Sequence, residues 1–138
     1  MITVPPAAVI AQWISDNTTR MIGCDLFVSL MPDEPDDVLA TFDVVGRRDG
    51  RCHMSGHEVL HYGVTLQGRS DNYPTMFAEL AGITNGFNQV NNAPVSVNGV
   101  TVSLSAVTIV SGPFYIGSSE VSNTSMFSIN LLASISEI

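Results

Sequence analysis

The chain has 138 residues, which length priors read as a single domain, 1–138, able to bury a real core without disulfide or metal staples. Charged residues make up 13%, against about 25% in ordinary soluble domains, while apolar residues reach 45%. The net charge is −8; lysine is absent, and the five cations are Arg20, Arg47, Arg48, Arg51 and Arg69. So few cations exclude a broad basic surface of the kind that coats or reads nucleic acid. An acidic surface is instead compatible with DNA sliding past without sticking.

No apolar run approaches the ~18 residues of a membrane span. The start, MITVPPAAVIAQWISDN, lacks a basic n-region and does not read as a signal peptide. The two cysteines, Cys24 and Cys52, are then expected to be reduced thiols of a cytoplasm, with a bridge between them left open. Low charge density implies that other subunits cover part of the surface; a monomer decorated by Ser, Thr and Asn is the alternative.

In chain order, Pro5-Pro6 opens a helix with an apolar stripe of Val9, Ile10, Trp13 and Ile14, which Gly23 is expected to end. Leu26 to Met31 reads as a strand. The acidic turn Pro32-Asp33-Glu34-Pro35-Asp36-Asp37 follows. Val38, Ala40, Phe42 and Val44 then alternate with Leu39, Thr41, Asp43 and Val45 in a second strand. The short connection predicts antiparallel pairing of these two. Residues 46–56, GRRDGRCHMSG, have no period and read as a loop.

A third strand places Leu60, Tyr62, Val64 and Leu66 on one face. Asp71 or Asn72 caps the next helix, whose early Pro74 sits where a missing N–H costs nothing. Met76, Phe77, Leu80, Ile83, Phe87 and Val90 recur at helical spacing, with Trp13 and Phe77 expected in the core. Gly82 and Gly86 each cost that helix about 1 kcal/mol relative to Ala. Asn98-Gly99 is the strongest hairpin signal. Val100, Val102, Leu104 and Ala106 share a face, and the phase flips at Val107 and Ile109, predicting a bulge near Ala106-Val107. Gly112-Pro113 is expected to break the segment. The last strand, about Ser125 to Ile135, aligns Phe127, Ile129, Leu131 and Ala133. The expected fold is α+β: a mainly antiparallel sheet with two helices packed on one face, in the order α-β-β-β-α-β-β-β.

Chemical motifs are scarce. His53, His57 and His61 are four apart, but in an extended segment His57 and His61 lie about 13 Å apart, too far to share one ion. Asp33 to Asp37 lacks the ligand spacing and central glycine of an EF-hand loop. No Gly-x-Ser-x-Gly elbow or phosphate loop is present. The reading is of a non-enzyme with no catalytic, cofactor-binding or metal residues.

Three segments resemble the tail terminator (tail completion, or minor capsid) proteins of long-tailed bacteriophages. They are the helix leading into a strand, PPAAVIAQWI to DLFVSLMP; the strand–turn–helix HYGVTLQGRSDNYPTMFAELAGI; and the ending GPFYIGSSEVSNTSMFSINLLASI, with Pro113, Gly117, Phe127 and Asn130 at the family's proline, glycine, aromatic and asparagine. Many relatives carry an arginine in the turn before the last strand. This chain has Ser118-Ser119-Glu120-Val121-Ser122-Asn123 there, so no charge contact by that turn is carried over.

The resemblance implies a structural virion protein of the head–tail neck, assembled in the host cytoplasm. It would form a homohexameric ring on the tail tube protein, end tube polymerisation and dock a head-completion or connector protein, while DNA passes through without specific binding. No membrane or cofactor is implied. The candidate subunit and partner contacts are Arg47, Arg48 and Arg51 of the GRRDGR segment and Asp33, Glu34, Asp36 and Asp37 of the acidic turn. The alternatives are another small neck or tail-tube protein, or a small α+β hydrolase or ligand-binding domain.

Overall fold

The computed structural model describes residues 4–31, 37–52, 58–119 and 124–137; for 45–52, 58–60, 118–119 and 137 it describes the backbone. The fold is α+β, with two helices and a six-stranded mixed sheet.

The first helix, α1, spans Pro6–Asn17 and buries Ala7, Val9, Ile10, Ala11 and Ile14. Pro5 at the N-cap offers no side-chain cap. Asp43 takes that role from the sheet, its Oδ1 accepting from the Ala7 N–H at 2.9 Å, where a carboxylate also suits the positive end of the helix. The buried Thr41 hydroxyl donates to the Ala7 carbonyl at 2.9 Å, so two neighbouring strand residues fix the start of α1. The helix ends at Asn17, not Gly23. Thr18 turns to an extended conformation and donates through both its N–H and its hydroxyl to the Ile14 carbonyl. Gly23, at φ +91°, serves the turn that leads into the sheet.

The strands are β1 (Leu26–Val28), β2 (Val38–Cys52), β3 (Glu58–Ser70), β4 (Ala93–Val97), β5 (Val100–Ser119) and β6 (Thr124–Glu137). They lie in the order β1-β2-β3-β6-β5-β4. β1 and β2 pair in parallel, Leu26 opposite Leu39, and not antiparallel as their short connection predicts. A return of residues 29–37 suffices because β1 is only three residues long. Ser29, at φ 60°, turns the chain out of β1 while its N–H donates to the Thr41 carbonyl. The remaining pairings are antiparallel.

Two further expectations change. Residues 46–52 are not loop: they continue β2, which pairs with β3 as far as Cys52 opposite Glu58, past a register shift between Asp43 and Arg48. Gly112-Pro113 does not end β5, which continues to Ser119 through register shifts against β6. The bulge expected near Ala106-Val107 falls between Leu104 and Ala106. Asn98 and Gly99 both adopt positive φ in the turn joining β4 to β5, as an Asn-Gly hairpin requires.

The second helix, α2, spans Tyr73–Asn88. Asn72 caps it, its Oδ1 accepting from the Thr75 N–H at 3.2 Å. Met76, Leu80, Ile83 and Phe87 are buried. Phe77 is not a core residue, being 44% exposed. Gly68 of β3 is the seat of this helix: a β-carbon there would lie 2.8 Å from Met76 Sδ and 3.3 Å from Leu80 Cδ1. Trp13 packs on Phe87 at 4.7 Å between ring centroids, joining α1 to α2 over the core face. Val64, Leu66, Phe127, Ile129 and Leu131 supply that face from the two central strands. Each such side chain contributes about 1.5–3 kcal/mol on burial.

Candidate interaction surfaces

The sheet has two edges that its own strands leave uncovered among the described residues. β4 pairs with β5 only from Val100 to Leu104, so the β4-side edge of β5 from Ala106 onward has no partner strand. β1 covers β2 only from Leu39 to Thr41, so the outer edge of β2 beyond Thr41 is likewise unpaired. Unpaired N–H and C=O groups on such edges are templates for another strand, and proteins usually guard them with charge, proline or a covering loop. β5 carries no charged residue in its 20 positions, VTVSLSAVTIVSGPFYIGSS.

The surface around the β5 edge is aromatic. Buried Phe127 on β6 is ringed by Tyr73 at 5.1 Å, Tyr115 at 5.8 Å and Phe77 at 6.0 Å. Tyr73 and Tyr115 also meet edge to face at 5.7 Å. Register makes this cluster: β5 places Tyr115 opposite Phe127, and α2 starts immediately above them. All three outer rings remain 44–50% exposed, and Val110, Phe114 and Ile116 of the same strand are exposed too. At the other edge, Met21, Ile22, Leu30 and Val44 are exposed.

One buried ion-pair knot lies behind the β1 edge. Arg20 is 6% exposed. It donates from Nε and Nη2 to both carboxylate oxygens of Glu79 on α2, at 2.8 and 2.6 Å, and from Nη2 to Asp37 Oδ1 at 2.5 Å. Nη1 reaches the Asp37 carbonyl at 3.2 Å, and Asp25 Oδ2 lies at 3.7 Å. Burial alone would push the guanidinium pKa down; the hydrogen bonds and charges of Glu79 and Asp37 outweigh it, and the pKa is raised.

This knot accounts for Asp37, expected as a partner contact: it is tied inward to Arg20. Arg48 and Arg51 sit on β2 opposite Tyr62 and Val59, and Arg47 lies in the irregular stretch just before. Asp33, Glu34 and Asp36 lie outside the described residues, as do His53 and His57. Of the expected contact residues, Asp37 has a described side chain, and it is held by Arg20. His61 on β3 is half-buried, its Nδ1 2.6 Å from Ser134 Oγ. Among the described residues no group of three His, Cys, Asp or Glu could hold a metal, and no helix is long and apolar enough to cross a membrane. Cys24 is a free, exposed thiol.

Two concavities complete the surface. A cleft of about 760 Å³ opens between the C-terminal halves of α1 and α2, walled by Trp13, Ile83, Gly86 and Val90 and rimmed by Asn17, Glu79 and Gln89. A smaller one of about 250 Å³ lies between Val44 and Val110, with Gly63 on its lining. Beside it runs a polar row in which Thr65 Oγ1 donates to Asn130 Oδ1 and Asn130 Nδ2 donates to Ser111 Oγ, both at 3.0 Å.

Sequence reasoning missed Arg20 and the aromatic cluster. A lone cation between acidic segments was the signal for the first. For the second it was the charge-free run on both sides of Gly112-Pro113. No protein-family model matches the chain, and no curated protein matches it.

Proposed function

We propose that this chain is a structural virion protein of the tail terminator type. It closes as a homo-oligomeric ring, a hexamer, on the end of a phage tail tube, stops tube polymerisation and offers its other face to a head-completion protein. The observation that carries this reading is the pair of unlike uncovered sheet edges on one subunit, a charge-free β5 and the β1 side of the sheet with exposed Met21, Ile22 and Leu30. A ring needs two different surfaces on every copy, each complementary to the other. The likeness of the three segments to terminator proteins, and an acidic balance suited to a channel that DNA traverses without adhering, support the same assignment.

The direct test adds purified protein to tail-tube subunits during polymerisation and images the products by negative stain. Tubes that stop short with a ring at one end are expected. Tubes of unchanged length with bare ends overturn the proposal. Indefinite growth of the protein itself would mark a tube protein instead.

The cleft beside Trp13 favours a second reading, a ligand-binding α+β domain. Saturable quenching of the single tryptophan by a small molecule, with no effect on tubes, would select it.

A further inference from the structure

The exposed large apolar side chains of the described residues fall into two groups, and the groups sit at opposite edges of the sheet. Met21, Ile22, Leu30 and Val44 flank β1 and the uncovered part of β2. Val110, Phe114, Tyr115 and Ile116 lie on uncovered β5, with Tyr73 and Phe77 of α2 beside them. Strand register shows that the two groups stand at the same height. One row runs Leu26, Leu39, Gly68, Phe127, Tyr115 across the sheet. A second runs Asp43, Val64, Leu131, Ile109, with Val44 and Val110 one residue to either side of it, lining one concavity.

We infer that these edges are the two halves of one head-to-tail contact between copies of this chain, the β5 edge of one subunit pairing with the β1/β2 edge of the next. This deepens, and rests on, the ring reading above. Direction agrees: β2, β3, β6 and β5 alternate and β1 runs parallel to β2, so a neighbour in the same orientation offers a β1 antiparallel to β5. Charge also agrees. Two copies that each carry −8 repel, and they approach at least cost on the β1 part of that edge, because uncovered β2 carries Asp43, Arg47, Arg48, Asp49 and Arg51. β5 has no charge. Residues 21–31 have only Asp25, which already stands 3.7 Å from Arg20. The contact joins unlike surfaces, so it builds a ring or a filament, whereas a two-fold contact would press each group on itself.

Two edge variants test the pairing by light scattering. Tyr115→Glu blocks the β5 edge and Leu30→Glu blocks the β1 edge; both positions are exposed, and circular dichroism checks that each variant is folded. Ile116→Glu repeats the first block without removing a ring from the Phe127 cluster. Wild type is expected at a multiple of the 14.7 kDa monomer mass, each variant alone at the monomer mass. An equimolar mixture of the two kinds should stop at the dimer mass, since each heterodimer uses the one good edge of both partners. A wild-type oligomer unaffected by either block overturns the edge pairing and leaves the ring reading standing. If only one block acts, the edge pairing is overturned as well, because a two-fold contact would behave so. A monomeric wild type overturns both.

Discussion

The indole of Trp13 occupies the space that a side chain at position 86 would need. A β-carbon on Gly86 would fall 2.9 Å from Trp13 Cη2, and Trp13 cannot swing aside freely because its ring packs on Phe87. Gly82, one turn earlier on the same helix, has nothing within 4 Å of that position. Gly86→Ala should therefore destabilise the fold by about 1–2 kcal/mol, the overpacking outweighing the gain in helix propensity. Gly82→Ala should stabilise it by about 0.5–1 kcal/mol. Urea unfolding of the two variants checks the opposite signs.

Arg20 is the cation on which three carboxylates converge. Arg20→Met keeps the length of the side chain but strands Glu79 and Asp37. A loss of about 2–4 kcal/mol is expected, below the full cost of breaking a buried pair because Asp37 is half exposed. The alkaline limb has a definite sign. A raised folded pKa means that the contribution is whole below the unfolded value and lost only as pH rises through the folded one. Both lie above the range in which proteins are handled. The stability difference between wild type and Arg20→Met should hence stay constant from neutral to moderately alkaline pH in denaturant titrations.

Gly68 and Met76 form a coupled pair. Gly68→Ala drives a methyl against Met76 Sδ and Leu39 Cδ2 and should cost about 1–3 kcal/mol. Met76→Ala empties a buried site and should cost about 2–5 kcal/mol. In the double variant the new methyl enters the space that Met76 vacates. Its loss should fall short of the sum by about 0.5–3 kcal/mol, and a double-mutant cycle measures the deficit.

Reversal of Arg47, Arg48 and Arg51 to glutamate tests them as the subunit or partner contacts that the sequence suggests. The subunit should stay folded by circular dichroism while tube capping is lost. Capping at normal tube length would remove these arginines from the contact.

The elements that were legible in the sequence are those that local chemistry specifies. Asn72 ahead of Pro74, Asn98-Gly99 between alternating strands, and the period-2 face of β6 each settle their own geometry. The misreadings fall where a distant partner decides. Residues 46–52 have no periodicity of their own, and β3 supplies the ladder that makes them strand. Gly112-Pro113 reads as a stop, yet β6 carries β5 past it. The α1 terminus was hidden because Thr18, and not a glycine, closes it.

The interaction surface was the least legible part. Alternating apolar residues mark a strand but not how far its neighbours extend along it, so Tyr115 reads like Leu104 until the pairing shows β4 ending at Leu104. Asp37 reads as a solvated loop tip until Arg20 is found beneath it.

The bare flank of β5 also sets how this polypeptide must be produced. It carries no lysine or aspartate gatekeeper along its length, so nothing electrostatic rejects a wrongly registered strand from a nascent or half-folded chain. Overexpression without its neighbours should drive it into inclusion bodies, and a single lysine at Thr108, placed on the solvent side, should restore soluble yield.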